Sequence, residues 1–286
     1  MEPNRPGATA DRADLHTHTS ASDGLLAPAQ LVALAAQRGL GAIAITDHDT
    51  VDGYLQAREL SDLRLRLVPG VELSCAVDGV DVHILGYGFD PLDTELVALL
   101  GQRSGQRLDR AAEIVERLQS LGVPVSMERV RAIAGSGTVG RPHIARALVE
   151  AGHVSTVGDA FARYLANGRP AYVERPVLTP ERAIAALHRA AGVAVLAHPL
   201  YSPTYRDFLP ALVESGLDGM EVHYPDHNDA TRARLGALAE RYGLIQTGGT
   251  DFHADFGRPG RALGDVTVPV AVIDRMAERA EGRSDA

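Results

Sequence analysis

Asp14-Leu15-His16-Thr17-His18, continuing through Thr19-Ser20-Ala21-Ser22-Asp23-Gly24, is the stretch around which the chain is organised. In an extended strand, side chains two apart share a face, so His16 and His18 project the same way. Two imidazoles on one face either share a metal ion or stand as ordinary hydrogen-bonded histidines. The pair alone does not choose between these; the residues spread along the rest of the chain do.

Outward from this stretch, apolar runs alternate with helical ones. Leu31, Leu34, Ala35 and Leu40 follow Pro28 at helical spacing, with Gly39 as a stop, which predicts a helix from Pro28 to Arg38. Gly41-Ala-Ile-Ala-Ile-Thr46 is then a short buried strand. A helix from Gly53 to Leu60, a strand near Leu65 to Val68 and another through Val71-Glu72-Leu73 follow. Val80 to Tyr87 alternates, with Val80, Val82 and Ile84 on one face and Asp81, His83 and Leu85 on the other.

Between Asp93 and Val173 strand signals nearly vanish. Leu96, Val97, Leu100, Leu108, Ala111, Ile114, Val115 and Leu118 predict one long helix or two, and shorter helices follow at Met127 to Ala134, His143 to Ala151 and Val157 to Leu165. The alternation returns at Thr179-Pro180, an N-cap and first-turn proline opening a helix to Ala191. Strands are expected at Val193 to Ala197, Asp218 to Tyr224 and Leu244 to Thr247, with a helix from Asp229 to Tyr242. Strand followed by helix is the pattern of an α/β fold with a parallel sheet, and about seven strands fit a (β/α) barrel, complete or one short of eight. The expected organisation is a loose tail over residues 1–12, a barrel built from 13–92 and 174–286, and a small helical domain inserted over 93–173.

Composition narrows the class. Of 286 residues, 45% are hydrophobic and 23% charged, as in ordinary globular proteins, and no apolar run reaches membrane-spanning length or forms a signal peptide within Met1 to Arg12. The formal charge of −9 argues against long duplex nucleic acid as a partner, while leaving room for an anion at a local positive site. A single cysteine, Cys75, excludes an intramolecular disulfide; it reads as a buried structural thiol and fits a cytoplasmic location.

The metal-capable residues fall on this map in a specific way. His16 and His18 end the first strand and Asp23 lies in the loop after it; Thr46-Asp47-His48-Asp49 ends the second. Glu72 follows Val68-Pro-Gly, His83 is on the next strand, His198 closes the strand after the helical segment, and Asp251 and His253 close the last. In parallel barrels the loops after the strands converge on one mouth, where catalytic groups collect. Nine polar groups at such positions do not fit the Val, Ile and Leu filling of a barrel, because unpaired buried charge is costly. Histidine and carboxylate ligation without thiolates suits Zn²⁺, Mn²⁺ or Fe²⁺, and the number of ligands points to two or three divalent ions. Such ions outweigh three carboxylates and make the mouth attractive to phosphate.

The runs DLHTHTSASDG, AITDHDT, VPGVELS, HILGY, LAHP and GGTDFH resemble, in order, the motifs of the PHP superfamily, named for polymerase and histidinol phosphatase. The helical insertion after the fourth motif, with Gly140-Arg141-Pro142-His143 inside it, resembles more narrowly the bacterial members that act on nucleoside 3′,5′-bisphosphates and on short RNA from its 5′ end. The resemblance implies a distorted (β/α)7 TIM-like barrel and a trinuclear site. By motif, it implies that His16, His18, Glu72 and Asp251 hold one metal, that Glu72 bridges to a second held with His83 and His198, and that Asp23, His48 and His253 hold a third. Asp23 stands where many relatives have histidine, a difference that falls on the third ion.

The chemistry expected is metal-assisted hydrolysis of a phosphate ester by a metal-bound water, with no protein nucleophile assigned. Asp47 and Asp49 either orient ligand imidazoles or cap the turn after the second strand. Arg141 and His143 are candidates for binding a substrate phosphate, with Arg169 a further one, and Tyr224 and His227 either line a base pocket or pack and cap. His227 or a metal-bound water is the candidate leaving-group acid. The expected substrate is a small nucleotide or short single-stranded RNA. The alternatives are a histidinol-phosphate-type phosphatase and, in another class, a non-catalytic metal- or nucleotide-binding module.

Overall fold

The computed structural model describes residues 11–60, 65–174, 178–254 and 261–284; most of the expected N-terminal tail, residues 1–10, lies outside the described residues. One sheet takes its seven strands in chain order: β1 (Ala13–Asp14), β2 (Ala42–Ile45), β3 (Arg66–Val77), β4 (Val80–Tyr87), β5 (Val193–Leu196), β6 (Gly219–His223) and β7 (Ile245–Gly248). Its ends meet where Leu15 N donates to Gly248 O at 3.3 Å and Thr17 bridges Phe252 in parallel, so the sheet nearly closes into a barrel.

All neighbours are parallel except β4, which is antiparallel to both β3 and β5. The cause is local. Asp78 and Gly79, with φ of 47° and 79°, form the whole connection between Val77 and Val80, a two-residue hairpin turn that reverses the chain where a parallel unit would need a crossover helix. β3 is also one strand rather than two. Pro69 takes the last register position opposite Ile45 of β2, and from Gly70 onward β3 pairs with β4. A Cβ on Gly70 would sit 2.5 Å from Ile45 O, so only glycine lets the strand pass there.

Helices α1 (Pro28–Gln37), α2 (Asp52–Arg58), α7 (Pro180–Arg189), α8 (Tyr205–Glu214) and α9 (Asp229–Arg241) belong to the barrel, and α10 (Ala271–Ser284) follows it. As the alternation predicts, the strands divide their side chains. Val82 and Ile84 join a buried cluster with Ile184, Leu187 and Leu212 of the helices, whereas Leu85 joins Leu15, Ala42 and Val195 in the cluster that Val272, Ile273 and Met276 of α10 complete.

Between β4 and α7 the described residues are helical: α3 (Thr94–Ser120), α4 (Met127–Ala134), α5 (Arg141–Glu150), α6 (Val157–Ala160) and a π-helical turn over Phe161–Leu165. α3 is a single helix, capped by Asp93 at Leu96 N. It starts on the barrel with Leu96 and Leu100 and ends in a separate cluster with Ile114, Val115, Leu118, Ile144 and Leu148. The sequence reading did not find α8, which carries Pro210 inside it, or α10. No helix among the described residues is long and apolar enough to cross a membrane.

Candidate metal centre

The strand ends deliver nine side chains to one mouth. Beyond β1 the backbone is irregular yet fully bonded: Thr46 N donates to Thr17 O and His18 N to Phe252 O, each at 2.8 Å, and Thr17 Oγ1 donates to Ala44 O at 2.6 Å. This carriage brings the His16 and His18 rings to 5.3 Å, on one side, although the regular strand stops at Asp14. The following loop is clamped by Asp47, which accepts from Thr19 N at 2.8 Å, Thr19 Oγ1 at 2.7 Å and Ser22 Oγ. The clamp aims Asp23 back at the cluster.

Glu72 is the hub. Its Oε2 lies 3.3 Å from His16 Nε2, 3.2 Å from His18 Nε2 and 3.3 Å from His48 Nδ1, and its Oε1 lies 2.6 Å from His83 Nδ1 and 3.0 Å from His198 Nε2. Asp251 Oδ1 adds a second carboxylate 3.2 Å from His18 Nε2 and 3.5 Å from His16 Nε2. Asp23 Oδ1 is 3.2 Å from His253 Nε2, with His18 and His48 both at 3.8 Å from its carboxylate.

Some of these contacts are hydrogen bonds, as between Glu72 and the Nε2 atoms of His16 and His198, but several are not. Both ring nitrogens of His18 and Nδ1 of His48 are buried with no hydrogen-bond partner among the described residues. Buried polar atoms are rarely left so, and lone pairs aimed at a common centre are what a cation requires. Three sets, His16/His18/Glu72/Asp251, His18/Asp23/His48/His253 and His48/Glu72/His83, each bring their donor atoms within 4.8 Å of one another. The residues therefore fit divalent cations.

The charge state agrees. Burial pushes Glu72, Asp23 and Asp251 up, but the imidazoles around them hold all three well below the usual carboxylate range. Burial pushes His18 down, yet Asp251 and Glu72 carry it up to about 10; His48, more dominated by burial, falls to about 3. The three carboxylates are thus held ionised, the form that ligates a cation.

Other groups position these. Glu221 Oε1 lies 3.0 Å from His16 Nδ1, while its Oε2 accepts from His198 N at 2.7 Å. Tyr224 Oη donates to Asp251 Oδ2 at 2.7 Å and Arg261 Nη1 donates to the same oxygen at 2.9 Å, which leaves Oδ1 for the cluster. Asp49, His198 and Asp251 all have positive φ, at 52°, 22° and 51°, a strain of order 1–3 kcal/mol each that clusters at functional sites. Glu221 and Arg261 were not found from the sequence, although a carboxylate between Met220 and Val222 in an apolar strand was a signal.

Asp49 faces away from the imidazoles. It accepts from Ser74 N at 2.9 Å and from Arg107 Nε at 2.6 Å, fastening the end of β2 to the β3–β4 arm and to α3. Burial raises it, but the Arg107 and Arg103 guanidinium groups prevail and hold it at about 2. Because its folded value lies below the ordinary 3.8, this stabilisation, about 2 kcal/mol, is present above pH 4 and lost as pH falls through 2. Asp49→Asn should strip a buried charge pair and lower stability by roughly 3–5 kcal/mol in urea unfolding. An unchanged midpoint would show that the pair does not hold the arm.

The candidate substrate residues fall in two places. Arg141 lines a cleft with Asp23, His48, His83, Arg107, Arg110 and Phe161, between the cluster and the helical segment, and its Nη2 is 3.2 Å from Asp81 Oδ2. His143 is buried, its Nδ1 accepting from Gly140 N at 3.0 Å to cap α5. Arg169 is exposed. Tyr224 is buried behind Asp251, and His227 donates through Nδ1 to Val222 O at 2.9 Å.

A barrel mouth of convergent imidazoles and carboxylates that fit divalent cations defines a metal-dependent hydrolase. A family model described as PHP domain matches residues 14–135. The chain is 39% identical over 247 residues, 84% of each chain, to the 5′-3′ exoribonuclease Rnm of Escherichia coli K12. It is 38% identical over 251 residues (86% of this chain, 95% of the other) to a phosphoribosyl 1,2-cyclic phosphate 1,2-diphosphodiesterase of Eggerthella lenta. It is 33% identical over 257 residues (88% and 90%) to a 3′,5′-nucleoside bisphosphate phosphatase of Chromobacterium violaceum. Among solved structures, one from Bifidobacterium adolescentis described as a metal-dependent phosphoesterase superposes with a TM-score of 0.85 at 35% identity, covering 93% of this chain and 96% of that one. The chain belongs to the PHP family of metal-dependent phosphoesterases. It is a hydrolase of phosphoester bonds that uses divalent metal.

Proposed function

We propose that this enzyme removes phosphate from nucleoside 3′,5′-bisphosphates and degrades short RNA from its 5′ end. The observation that carries the reading is the cleft in which Asp23, His48 and His83 share a wall with Arg107, Arg110 and Arg141, an arrangement suited to a substrate with more than one phosphate. Two or three ions, Mn²⁺, Zn²⁺ or Fe²⁺, would be held by His16/His18/Glu72/Asp251, Glu72/His83/His198 and Asp23/His48/His253, a division supported by the distances from Glu72, Asp251 and Asp23. Such ions would supply neutralisation of charge developing on the phosphoryl oxygens and acidification of a nearby water. The helical segment over 93–173 acts as a small domain that brings Arg141 to a second phosphate, His143 shaping the start of its helix and Arg169 standing further out. We place the enzyme in the cytoplasm, which the lone, buried Cys75 fits.

The Eggerthella lenta relative favours a second reading, opening of a cyclic phosphate diester. Protein loaded with Mn²⁺ would be offered adenosine 3′,5′-bisphosphate, a 5′-phosphorylated RNA oligomer, ribose 1,2-cyclic phosphate 5-phosphate and histidinol phosphate. Phosphate or mononucleotide release from the first two is expected. Turnover of the cyclic diester alone selects the second reading, and turnover of histidinol phosphate alone overturns both.

Arg141→Ala should raise KM for the bisphosphate about tenfold, the worth of one charge-assisted contact, with metal content unchanged by elemental analysis. Loss of metal instead would assign Arg141 a structural role.

A further inference from the structure

The mouth combines a charged centre with an aromatic rim. Directly after His198 the chain makes a short 3₁₀ turn, Pro199–Tyr201, that leaves Tyr201 56% and Leu200 38% exposed. Tyr201 is nevertheless held firmly. Its phenol donates to Asp226 Oδ2 at 2.6 Å and accepts from Arg261 Nη2 at 2.9 Å. Its ring meets the His198 imidazole edge-on at 5.2 Å and the Tyr224 ring at 5.8 Å. The hydroxyl is engaged and two neighbouring rings stand perpendicular to the Tyr201 ring, yet more than half of the residue is open to solvent beside a candidate metal ligand.

We propose that Tyr201 is a stacking platform for the nucleobase of the nucleotide whose phosphate enters the cluster. This rests on the nucleotide reading above and names the residue that reads the base. A nucleotide pairs a charged head with a flat π face, which is the pairing the His198–Tyr201 edge offers. A tyrosine already fixed at its hydroxyl loses little rotamer freedom when a base settles on it. Stacking accepts every base because each has a π face, so the platform predicts little discrimination among bases. Tyr224, the aromatic residue expected at this pocket, is buried behind Asp251, whereas Tyr201 reaches the open side.

The chain has no tryptophan, so Tyr201→Trp places a single tryptophan at the platform, excited selectively over the tyrosines. With metal bound, AMP and UMP should both quench its fluorescence by half or more, and ribose 5-phosphate should not. An equal response to ribose 5-phosphate, or none to the nucleotides, overturns the proposal. Kinetics give an independent reading. Tyr201→Ala should raise KM for adenosine 3′,5′-bisphosphate about tenfold more than KM for ribose 3,5-bisphosphate, the loss expected for one stacked base. Equal shifts for the two substrates would make Tyr201 merely structural. Failure of the wild-type protein to hydrolyse the bisphosphate at all would overturn the nucleotide reading, and is separate from the quenching result.

Discussion

Glu72→Gln is expected to strip the bound ions and lower kcat on the order of a thousandfold while leaving the fold intact. Among the described residues no other side chain meets so many of the proposed ligands: its two oxygens lie between 2.6 and 3.3 Å from nitrogens of His16, His18, His48, His83 and His198. It is also almost wholly buried, so its charge is poorly screened by water. Glutamine keeps the shape and offers an amide to neutral imidazole lone pairs, so packing survives. It offers no negative charge, however, and only one oxygen in place of two. Metal stabilisation of the phosphoryl oxygens is worth several kcal/mol, and about 4 kcal/mol is three decades of rate. Elemental analysis of Glu72→Gln beside kcat on the bisphosphate checks this. A variant with full metal content and wild-type kcat would remove Glu72 from the centre. His16→Ala and Asp251→Ala should lose metal and activity together as well, each with a smaller deficit because fewer contacts are broken.

The nine mouth residues were legible because each sits within a short motif in or just after an apolar strand, where chemistry and backbone position are read from the same few residues. Glu221 was not, because it lies inside a strand among core residues and its partner His16 is 205 positions away. Arg107, on a helix whose apolar spacing drew attention to its other side, reaches Asp49 only through the fold. Alternation along β4 disclosed which side chains share a face but not the direction of the strand, since a period of two is the same in parallel and antiparallel sheets. The Asp78-Gly79 turn held that information. Pro69 divided β3 in the reading because a proline argues against a central strand. In the fold it occupies the one place where β3 leaves β2 for β4, and its carbonyl still accepts from Gly88 N at 3.0 Å. Pro210 concealed α8 in the same way.

Glu221→Gln should weaken metal binding roughly 10- to 100-fold, the range for groups that orient a ligand from behind. Both oxygens of Glu221 act as acceptors. Oε1 faces His16 Nδ1 and Oε2 takes the backbone N–H of His198, a residue held at φ of 22°. A hydrogen on His16 Nδ1 directs its lone pair to Nε2, the nitrogen that lies 3.3 Å from Glu72. Glutamine has one acceptor and one donor. Whichever way its amide turns, an N–H faces either His16 Nδ1–H or His198 N–H, and one contact becomes a donor–donor clash. Turned one way it frees the His16 tautomer; turned the other it releases the strained His198 backbone. Since these two histidines are assigned to different ions and only one contact clashes in either orientation, the variant should give up one of the two ions well before the other in a chelator titration. His253→Ala, by contrast, should release only the ion it shares with Asp23 and His48, because Glu72, His83 and His198 keep their mutual contacts. If Glu221→Gln resists chelator as wild type does, the carboxylate orients neither histidine. If it loses one ion and keeps the other, the orientation of the amide identifies which of the two contacts carried the effect.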